Sequence, residues 1–385
     1  RFLVLPRPNL LQVQAVNGRH AAPLTLLSLL TMTLWGCPSP SPTGIDTASR
    51  ADLAPASEAD ASQDGSASLS DLSLEEDCTK PPPGAPASSS YSFVHNGQLA
   101  WSHDEGSPSG YFHTYDALRV GEAEDKPHKV HVLLPRGYGR CDSGYPVLYM
   151  NDGDTAFWNG GGGGKSWRVQ DVLASLYAAR AIPKIIVVAI VPVNRDAEYS
   201  HVQVAPNLDC CQADRYVRYV ADAVRPFINR SYRTKTDAKS TLILGSSRGG
   251  LSSFYLATRR PEVFGHAGCM SSSFWAGLDP VFGGSYPGGP LSGAPLITQV
   301  QATLQNRALR PRLWMDWGLV RTGGTHNSVI EEAATRRGKE MVGLLQSSFG
   351  YKEGSDLFWQ EDPVGEHDEI TWSRRLSPML RSLLQ

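Results

Sequence analysis

One serine of this chain lies in a sequence context that suits a catalytic nucleophile. Ser247 is the central residue of Gly-Ser-Ser-Arg-Gly at 245–249, which fits the G-x-S-x-G nucleophile elbow. In that elbow a sharp turn between a strand and a helix strains the serine backbone, so small residues are needed two positions to either side. A chain this rich in glycine and serine can carry the pattern by chance, and a Gly/Ser loop without chemistry is the alternative. The apolar run at 241–244 and the helical segment at 249–260 favour the elbow.

A serine hydroxyl needs a general base, and the chain offers three histidines after Ser247. In the α/β-hydrolase arrangement the order is serine, acid, histidine, each at the carboxyl edge of the sheet. His367 lies between the last predicted strand and the last predicted helix, where such a base belongs, and it is our predicted base. His266 lies near the start of a strand, which favours a structural role. His326, in a glycine-containing loop, is the runner-up, and any one of the three can also be a surface or packing residue.

The elements around these residues alternate between strands and helices from residue 147 onward. Residues 91–135 predict an antiparallel entry to a sheet, and the later apolar runs predict its central strands. The strands are expected at 129–135, 145–150, 185–191, 241–245, 267–271, 312–317 and 357–360. The helices are expected at 169–179, 213–228 (with Pro226 tightening its end), 249–260, 331–349 and 369–384. This alternation predicts an α/β fold with a mostly parallel sheet and helices on both faces.

The composition divides the chain into three parts. Residues 1–37 include an uncharged apolar run at 21–35, which is typical of a signal h-region, and Leu-Trp-Gly-Cys at 34–37 resembles a bacterial lipobox. We therefore expect an exported protein with Cys37 lipidated, although Trp35 is bulky for that pattern and an ordinary secretion signal is the alternative. Residues 38–90, rich in Pro, Ser, Ala and Asp, predict a disordered linker or a propeptide. Residues 91–385 are the predicted folded domain.

Several classes of function and chemistry are disfavoured. The formal net charge is −2 with no basic stripe, so nucleic acid is not an expected partner. Residues 159–166 nearly imitate a phosphate-binding loop, but Asn159 replaces its first glycine and no strand leads into it. Neither a metal nor a cofactor is expected. The adjacent Cys210 and Cys211 are expected not to bridge each other because such a bond is strained, and the disulfide connectivity stays open.

Four segments together resemble the putative esterase family of α/β-hydrolases, which includes enterochelin, feruloyl and acetylxylan esterases and mycolyltransferases. The first is a strand followed by an Asp-Gly loop and an aromatic residue. The others are an Arg-x-x-Glu-Tyr segment, the elbow, and a His-x-Glu-x-x-Trp-x-x-Arg-Leu ending. They lie at 149–157, 195–199, 245–250 and 365–376, so the resemblance covers roughly residues 130–380.

The resemblance implies an oxyanion hole made of the backbone N–H groups of Arg248 and Asp154, with Asp152 fixing the loop of the second. Many family members carry an acidic residue three positions after the glycine that follows the seventh strand, but here that position is Arg321. Asp316, at the end of the same strand, is the nearest carboxylate and our predicted triad acid. Glu331 and Glu332 are further candidates, and a Ser-His dyad is the alternative to all three.

These residues predict a serine esterase that works through an acyl-enzyme, needs no cofactor and resembles the enterochelin esterases. Trp158, Trp167, Phe274 and Trp275 are expected either to line a pocket for an aromatic or glycan-bearing ester or to be core. The expected partners are a small-molecule or glycan ester and, through the lipid anchor alone, a membrane. An acyltransferase of the mycolyltransferase type, or a surface binding protein that has lost turnover, are the alternatives.

Overall fold

The computed structural model describes residues 90–139, 144–160, 164–283 and 285–385. All of them belong to one compact unit, Leu72–Gln385. The predicted signal segment, Cys37 and nearly all of the predicted linker lie outside the described residues. Along the described ranges, none of the helices has the length and apolar character needed to cross a bilayer.

Ten strands form one sheet in the order β1-β2-β3-β4-β6-β5-β7-β8-β9-β10. Strands β1 to β4 pair antiparallel, β4 pairs antiparallel with β6, and the pairs from β6 to β10 are parallel. The strands are β1 Tyr91–His95, β2 Gln98–His103, β3 Gly110–Leu118, β4 His128–Pro135, β5 Val147–Met150, β6 Ile186–Ile190, β7 Thr241–Ser246, β8 His266–Met270, β9 Arg312–Gly318 and β10 Leu357–Asp362. The predicted antiparallel entry and parallel centre are therefore confirmed.

Helices connect the parallel strands. They are α1 Gly153–Ala156, α2 Val169–Ala178, α3 Arg195–Glu198, α4 Ala213–Arg218, α5 Arg225–Ser231, α6 Arg248–Arg259, α7 Pro295–Gln305, α8 Glu332–Phe349 and α9 Glu369–Leu383. Two π-helical segments, Tyr219–Val224 and His326–Glu331, continue the helical path into α5 and α8.

The core lies on both faces of the sheet, since the central strands are buried at every position. One large cluster contains α4, α5 and α6 with one face of the strands, and a second contains α2 and α9 with the other face. Burial on both faces explains the continuous apolar runs, such as 185–191, that predicted these strands. The architecture is that of an α/β-hydrolase, as the sequence predicted.

Two local features differ from the prediction. The helix predicted to tighten at Pro226 instead continues to Ser231, and Pro226 is the second residue of α5, which follows the π-helical segment Tyr219–Val224. Proline has no N–H to donate to the preceding turn, so the wider turn before it fits the helix around the missing bond. Cys210 and Cys211, expected not to bridge, are joined by a disulfide across a cis peptide bond.

Candidate active site

Ser247 stands at the turn between β7 and α6, as the elbow pattern predicts. Its backbone has φ 54° and ψ −123°, in the positive-φ region that residues other than glycine rarely adopt. The neighbouring strand helps to hold this conformation, because Ser247 N donates to Met270 O at 2.9 Å. The Ser247 hydroxyl lies 3.4 Å from the hydroxyl of Ser273.

The glycines of the elbow are required by close approaches of other atoms. A Cβ on Gly245 would lie 2.4 Å from the carbonyl oxygen of Gly249. A Cβ on Gly249 would lie 2.8 Å from Asp152 Oδ2, and one on Gly250 would lie 2.3 Å from the hydroxyl oxygen of Ser272. Since real Cβ atoms essentially never approach another heavy atom this closely, a side chain at any of these positions would force neighbouring atoms of the elbow to shift.

His367 lies in the loop between β10 and α9 and is almost fully buried. Its Nδ1 is hydrogen-bonded to Glu331 Oε2, in a short contact between two buried side chains. Its backbone N–H donates to Asn327 Oδ1 at 2.9 Å. Both partners come from the π-helical segment His326–Glu331, so one turn of helix fixes the backbone and the ring of His367 together.

Glu331 is completely buried and is held by three donors. Its Oε1 accepts from Gly318 N and, at 2.9 Å, from the Ser271 hydroxyl, while its Oε2 faces His367. Burial alone would raise the pKa of this carboxyl group. The hydrogen bonds and charges of His367, Gly318 N and Arg375 outweigh burial and hold the pKa below its ordinary value, so the group is ionised.

The prediction that Asp316 pairs with the histidine is wrong, because Glu331 occupies that place. Asp316 Oδ2 accepts from Trp314 Nε1 at 2.8 Å, and its Oδ1 lies 3.2 Å from Ser271 N and 3.4 Å from Arg375 Nε. Burial, together with the nearby Glu331 carboxylate, raises the pKa of Asp316 to about 6. Its side chain is turned into the layer below Glu331, away from the imidazole ring.

The remaining acid candidate and the two other histidines after Ser247 are not part of the Glu331–His367 pair. Glu332, the third candidate acid, is exposed at the start of α8. His326, the runner-up base, borders the same cleft as His367, with ring centroids 6.1 Å apart. His266 lies at the start of β8, where its Nε2 contacts Lys239 O at 2.8 Å and burial lowers its pKa to about 4.

The loop after β5 faces the elbow from the other side. Asp152 adopts a left-handed conformation (φ 56°), and both of its carboxylate oxygens accept from Arg195, at 2.7 and 2.9 Å. Asp152 N donates to the Tyr199 hydroxyl oxygen at 2.9 Å, and Asn151 Nδ2 donates to Gly249 O at 3.0 Å. The Arg-x-x-Glu-Tyr segment therefore fixes the Asp-Gly loop against the nucleophile turn.

Two backbone N–H groups at the cleft lie in the first turns of their helices. Arg248 is the first residue of α6 and Asp154 is the second residue of α1, and N–H groups in a first helical turn lack an intrahelical partner. Both residues line the same cleft as Ser247. The Arg248 side chain is directed elsewhere, into an ion pair with Asp196.

Ser247 and His367 open onto one cleft of about 730 Å³. In the described part of the chain no hydrogen bond joins the two side chains, a common situation when no substrate is bound. Of the four aromatic residues predicted for this pocket, Trp275 lines the cleft, next to Phe282. Trp167 and Phe274 are buried in the core, and Trp158 packs on Phe112 beside β3.

The rim of the cleft is charged. Lys165 and Asp368 form an ion pair of 2.6 Å across it, while Glu366 and Glu369 lie nearby. Burial raises the pKa of Glu369 and of Asp154. Across the described ranges, no group of three or more His, Cys, Asp or Glu side chains is arranged to hold a metal ion.

Residues 121–383, more than half of the chain, match the family described as "Putative esterase". The uncharacterized protein YbbA of Bacillus subtilis is 26% identical over 154 residues, which are 37% of this chain and 56% of that protein. The endo-1,4-beta-xylanase/feruloyl esterase of Xylanibacter ruminicola is 30% identical over 158 residues, 39% of this chain and 20% of that protein. The chain thus spans about half of one curated relative and a fifth of the other.

Two solved structures share the fold. The BES protein from Bacillus cereus superimposes with a TM-score of 0.52 at 16% identity, over 71% of this chain and 96% of that chain. The enterochelin esterase from Shigella flexneri superimposes with a TM-score of 0.50 at 22% identity, over 72% of this chain and 58% of that chain.

Proposed function

Because the chain belongs to the putative esterase family, we propose that it is a serine esterase in which Ser247, His367 and Glu331 form the catalytic triad. The observation that carries the proposal is the buried pair of Glu331 and His367 beside the cleft that contains the strained Ser247. A carboxylate on Nδ1 keeps the ring proton on that nitrogen and leaves Nε2 free to accept a proton from the serine.

In the proposed reaction, Ser247 Oγ bonds to the carbonyl carbon of an ester while His367 Nε2 takes the hydroxyl proton. The electron pair of the carbonyl π bond moves to its oxygen, where the N–H groups of Arg248 and Asp154 stabilise the negative charge. When this intermediate collapses, the bond to the alcohol oxygen breaks and that oxygen takes the proton from His367. Water then attacks the acyl-enzyme in the same two steps, with its proton passing through His367 to Ser247 Oγ, and the acid is released.

The substrate is proposed only as a class. The cleft volume of about 730 Å³ suits an ester larger than an acetyl group, and Trp275 with Phe282 offers an apolar wall for it. The names of two similar proteins, a feruloyl esterase and an enterochelin esterase, support an ester that carries an aromatic group, such as a feruloyl ester or a siderophore lactone.

The test combines a panel of p-nitrophenyl esters with a fluorophosphonate probe on the wild type and on Ser247→Ala. We expect labelled, active wild type and an Ala variant that is neither. Ser252→Ala is the matched control, because this buried serine lies five residues along α6 and makes no side-chain hydrogen bond in the described structure. An inactive and unlabelled wild type, or an Ala variant that keeps both properties, would refute the proposal.

Adding a sugar or alcohol acceptor to the same assay separates hydrolysis from acyl transfer, since a transferase releases the acylated acceptor in place of the free acid.

We also propose export with a lipid anchor, on the strength of the apolar run at 21–35 and Cys37. Labelling cells with a radioactive fatty acid tests this anchor, and equal labelling of Cys37→Ser would contradict it.

A further inference from the structure

A layer of buried polar side chains lies beside the Glu331–His367 pair. Two of its members, Trp372 and Arg375, belong to the His-x-Glu-x-x-Trp-x-x-Arg-Leu ending, to which the resemblance assigns no role beyond the histidine. The central atom of this layer is the hydroxyl oxygen of Ser271, the residue that follows β8. Ser271 is fully buried and has φ 41°, a positive-φ position at the carboxyl end of the sheet like Asp152 and Ser247. Its N–H donates to Asp316 O at 2.9 Å, which ties this bend to β9.

The Ser271 hydroxyl has all of its hydrogen-bonding capacity in use. It accepts from Trp372 Nε1 at 3.1 Å and from Arg375 Nη2 at 2.9 Å, and it donates its single proton to Glu331 Oε1 at 2.9 Å. Because the two incoming donors occupy both lone pairs, the hydroxyl proton has only the carboxylate to point at. The direction of this proton is therefore set by two groups on α9.

Arg375 supplies the positive charge of this layer. It is 1% exposed, and its Nε lies 3.4 Å from Asp316 Oδ1. Its Nε and Nη1 have no hydrogen-bond partner among the described residues. A guanidinium group is costly to bury with so few partners, so a compensating interaction with nearby negative charge is required.

The positive charge of Arg375 balances part of the negative charge of two buried carboxylates. The titratable and charged groups that face Glu331 are His367 before α9, Arg375 on α9 and Asp316 on β9. With neutral His367, two carboxylates and one guanidinium leave a net charge of −1. When His367 takes the serine proton, the net charge of these four side chains becomes zero. Without Arg375 the same step would leave a net negative charge in a region that excludes water, where carboxylates tend to take up protons.

We propose that Ser271 and Arg375 are positioning residues, which keep Glu331 ionised and aimed at His367 Nδ1. Neither touches the reacting atoms. Ser271 fixes the carboxylate through a directed hydrogen bond, and Arg375 fixes Ser271 and neutralises the buried charge. This inference rests on the proposed function, since it assigns a task within that triad.

Turnover of a p-nitrophenyl ester across pH tests the inference. A hydrogen bond to a charged group is worth about a 10- to 100-fold change, so we expect Ser271→Ala to lower kcat by about that factor and to leave KM within about twofold. We expect the acid limb of kcat/KM to move to higher pH in Ser271→Ala, and further in Arg375→Met, because Glu331 then takes a proton more readily. Arg375→Lys, which keeps the charge, should bring the limb back towards the wild-type position.

Ser272→Ala is the matched control for Ser271. Ser272 is the next residue and is equally buried, but its hydroxyl has no hydrogen-bond partner among the described residues. Circular dichroism of each variant at every assay pH measures the folded fraction, so that a loss of stability at acid pH is not mistaken for a shift of the acid limb. The inference is overturned if Ser271→Ala matches Ser272→Ala in kcat and in the position of the acid limb.

A measurement without turnover separates this inference from the proposed esterase activity. In the wild type, we expect a downfield proton NMR signal from the His367 Nδ1–H bonded to Glu331, assigned by its loss in His367→Gln. The signal should move upfield or broaden in Ser271→Ala and stay in place in Ser272→Ala. If the wild type hydrolyses no ester, the proposed function fails while the NMR comparison still decides the positioning role. An unmoved signal in Ser271→Ala refutes that role even in an active enzyme.

Discussion

Replacing Glu331 with glutamine removes the negative charge and turns one carboxylate oxygen into an NH2 donor. The groups around the carboxylate decide which of the two oxygen positions this NH2 takes. Oε1 meets two donors, Gly318 N and the Ser271 hydroxyl, while Oε2 meets one, His367 Nδ1. An amide NH2 group at the Oε1 position would face Gly318 N–H and the Ser271 hydroxyl, and a donor cannot accept their hydrogen bonds. The amide oxygen therefore takes that place, and the NH2 group points at His367 Nδ1.

The consequence for His367 is a change of tautomer. A donor facing Nδ1 requires a lone pair on that nitrogen, so the ring proton moves to Nε2, which can then no longer accept the proton of Ser247. A wrong tautomer of this kind costs about 10³- to 10⁴-fold in kcat, which corresponds to about 4–5.5 kcal/mol of transition-state stabilisation. The structure therefore predicts a nearly inactive but folded Glu331→Gln variant.

The assay is steady-state hydrolysis of a p-nitrophenyl ester, with far-ultraviolet circular dichroism and thermal unfolding to confirm the fold. Glu332→Gln is the matched control, because it makes the same chemical change one residue further on, at an exposed position. We expect its kcat within about twofold of wild type. Asp316→Asn should cost less than Glu331→Gln, since Asp316 does not contact the histidine. The reasoning is refuted if Glu331→Gln stays within tenfold of wild type, or if Glu332→Gln loses as much.

Three further outcomes follow from the structure. Gly245→Ala should lower the free energy of unfolding by about 1–3 kcal/mol, because its Cβ would meet backbone of the elbow; chemical denaturation checks this, and an unchanged midpoint would contradict it. Phe282→Ala should raise KM about 3- to 10-fold with little change in kcat or thermal stability, because the ring is 46% exposed and borders the cleft; an unchanged KM for a bulky ester would show that the ring does not contact substrate. Stability should fall between pH 7 and pH 5, because burial holds four histidines neutral in the folded state while the unfolded chain takes up protons below about pH 6.5, a cost on the order of 1–2 kcal/mol each at pH 5. Their pKa values are lowered to about 3 or 4, whereas burial raises the pKa values of Asp316, Glu369 and Asp154, and these carboxyl groups oppose the trend. Urea unfolding at three pH values checks this, and a flat or rising stability would contradict it. The four histidines are His113, His131, His201 and His266.

The fold could be predicted from the sequence because its signals are local. A run such as 185–191 is apolar throughout because β6 is covered on both faces, and glycine and proline mark the ends of such runs. The order of Ser247 and His367 along the chain follows from the same topology, since both occupy loops at one edge of a parallel sheet. The π-helical segments left no such signal, and the turn that contains Glu331 is one of them.

The acid could not be decided from chain position, because Asp316 and Glu331 both lie near the carboxyl end of β9 and only side-chain direction separates them. One signal was available. Glu331 lies in line with Ala334, Gly338, Met341 and Leu345, the buried stripe of α8, whereas Glu332 lies on the exposed side. A carboxylate on an apolar stripe requires a buried partner, which is a reason to look for a histidine opposite it.

The aromatic residues were harder to assign for a different reason. Trp167, Phe274 and Trp275 are all buried side chains, so composition and burial do not distinguish a cleft wall from the core. What places Trp275 at the cleft is the turn after β8, whose course depends on the bend at Ser271.

The strand order makes the position of His367 depend on one contact between two loops. Neighbouring strands lie about 4.8 Å apart, and three steps separate β7, which precedes Ser247, from β10, which precedes His367. The loop after β10 must therefore reach back over β9, and it does so where Gly318 and Gly365 touch: a Cβ on Gly318 would lie 2.3 Å from Gly365 O. A single added methyl group at this contact would therefore change how far the loop carries His367 towards Ser247, without touching the side chain of either residue.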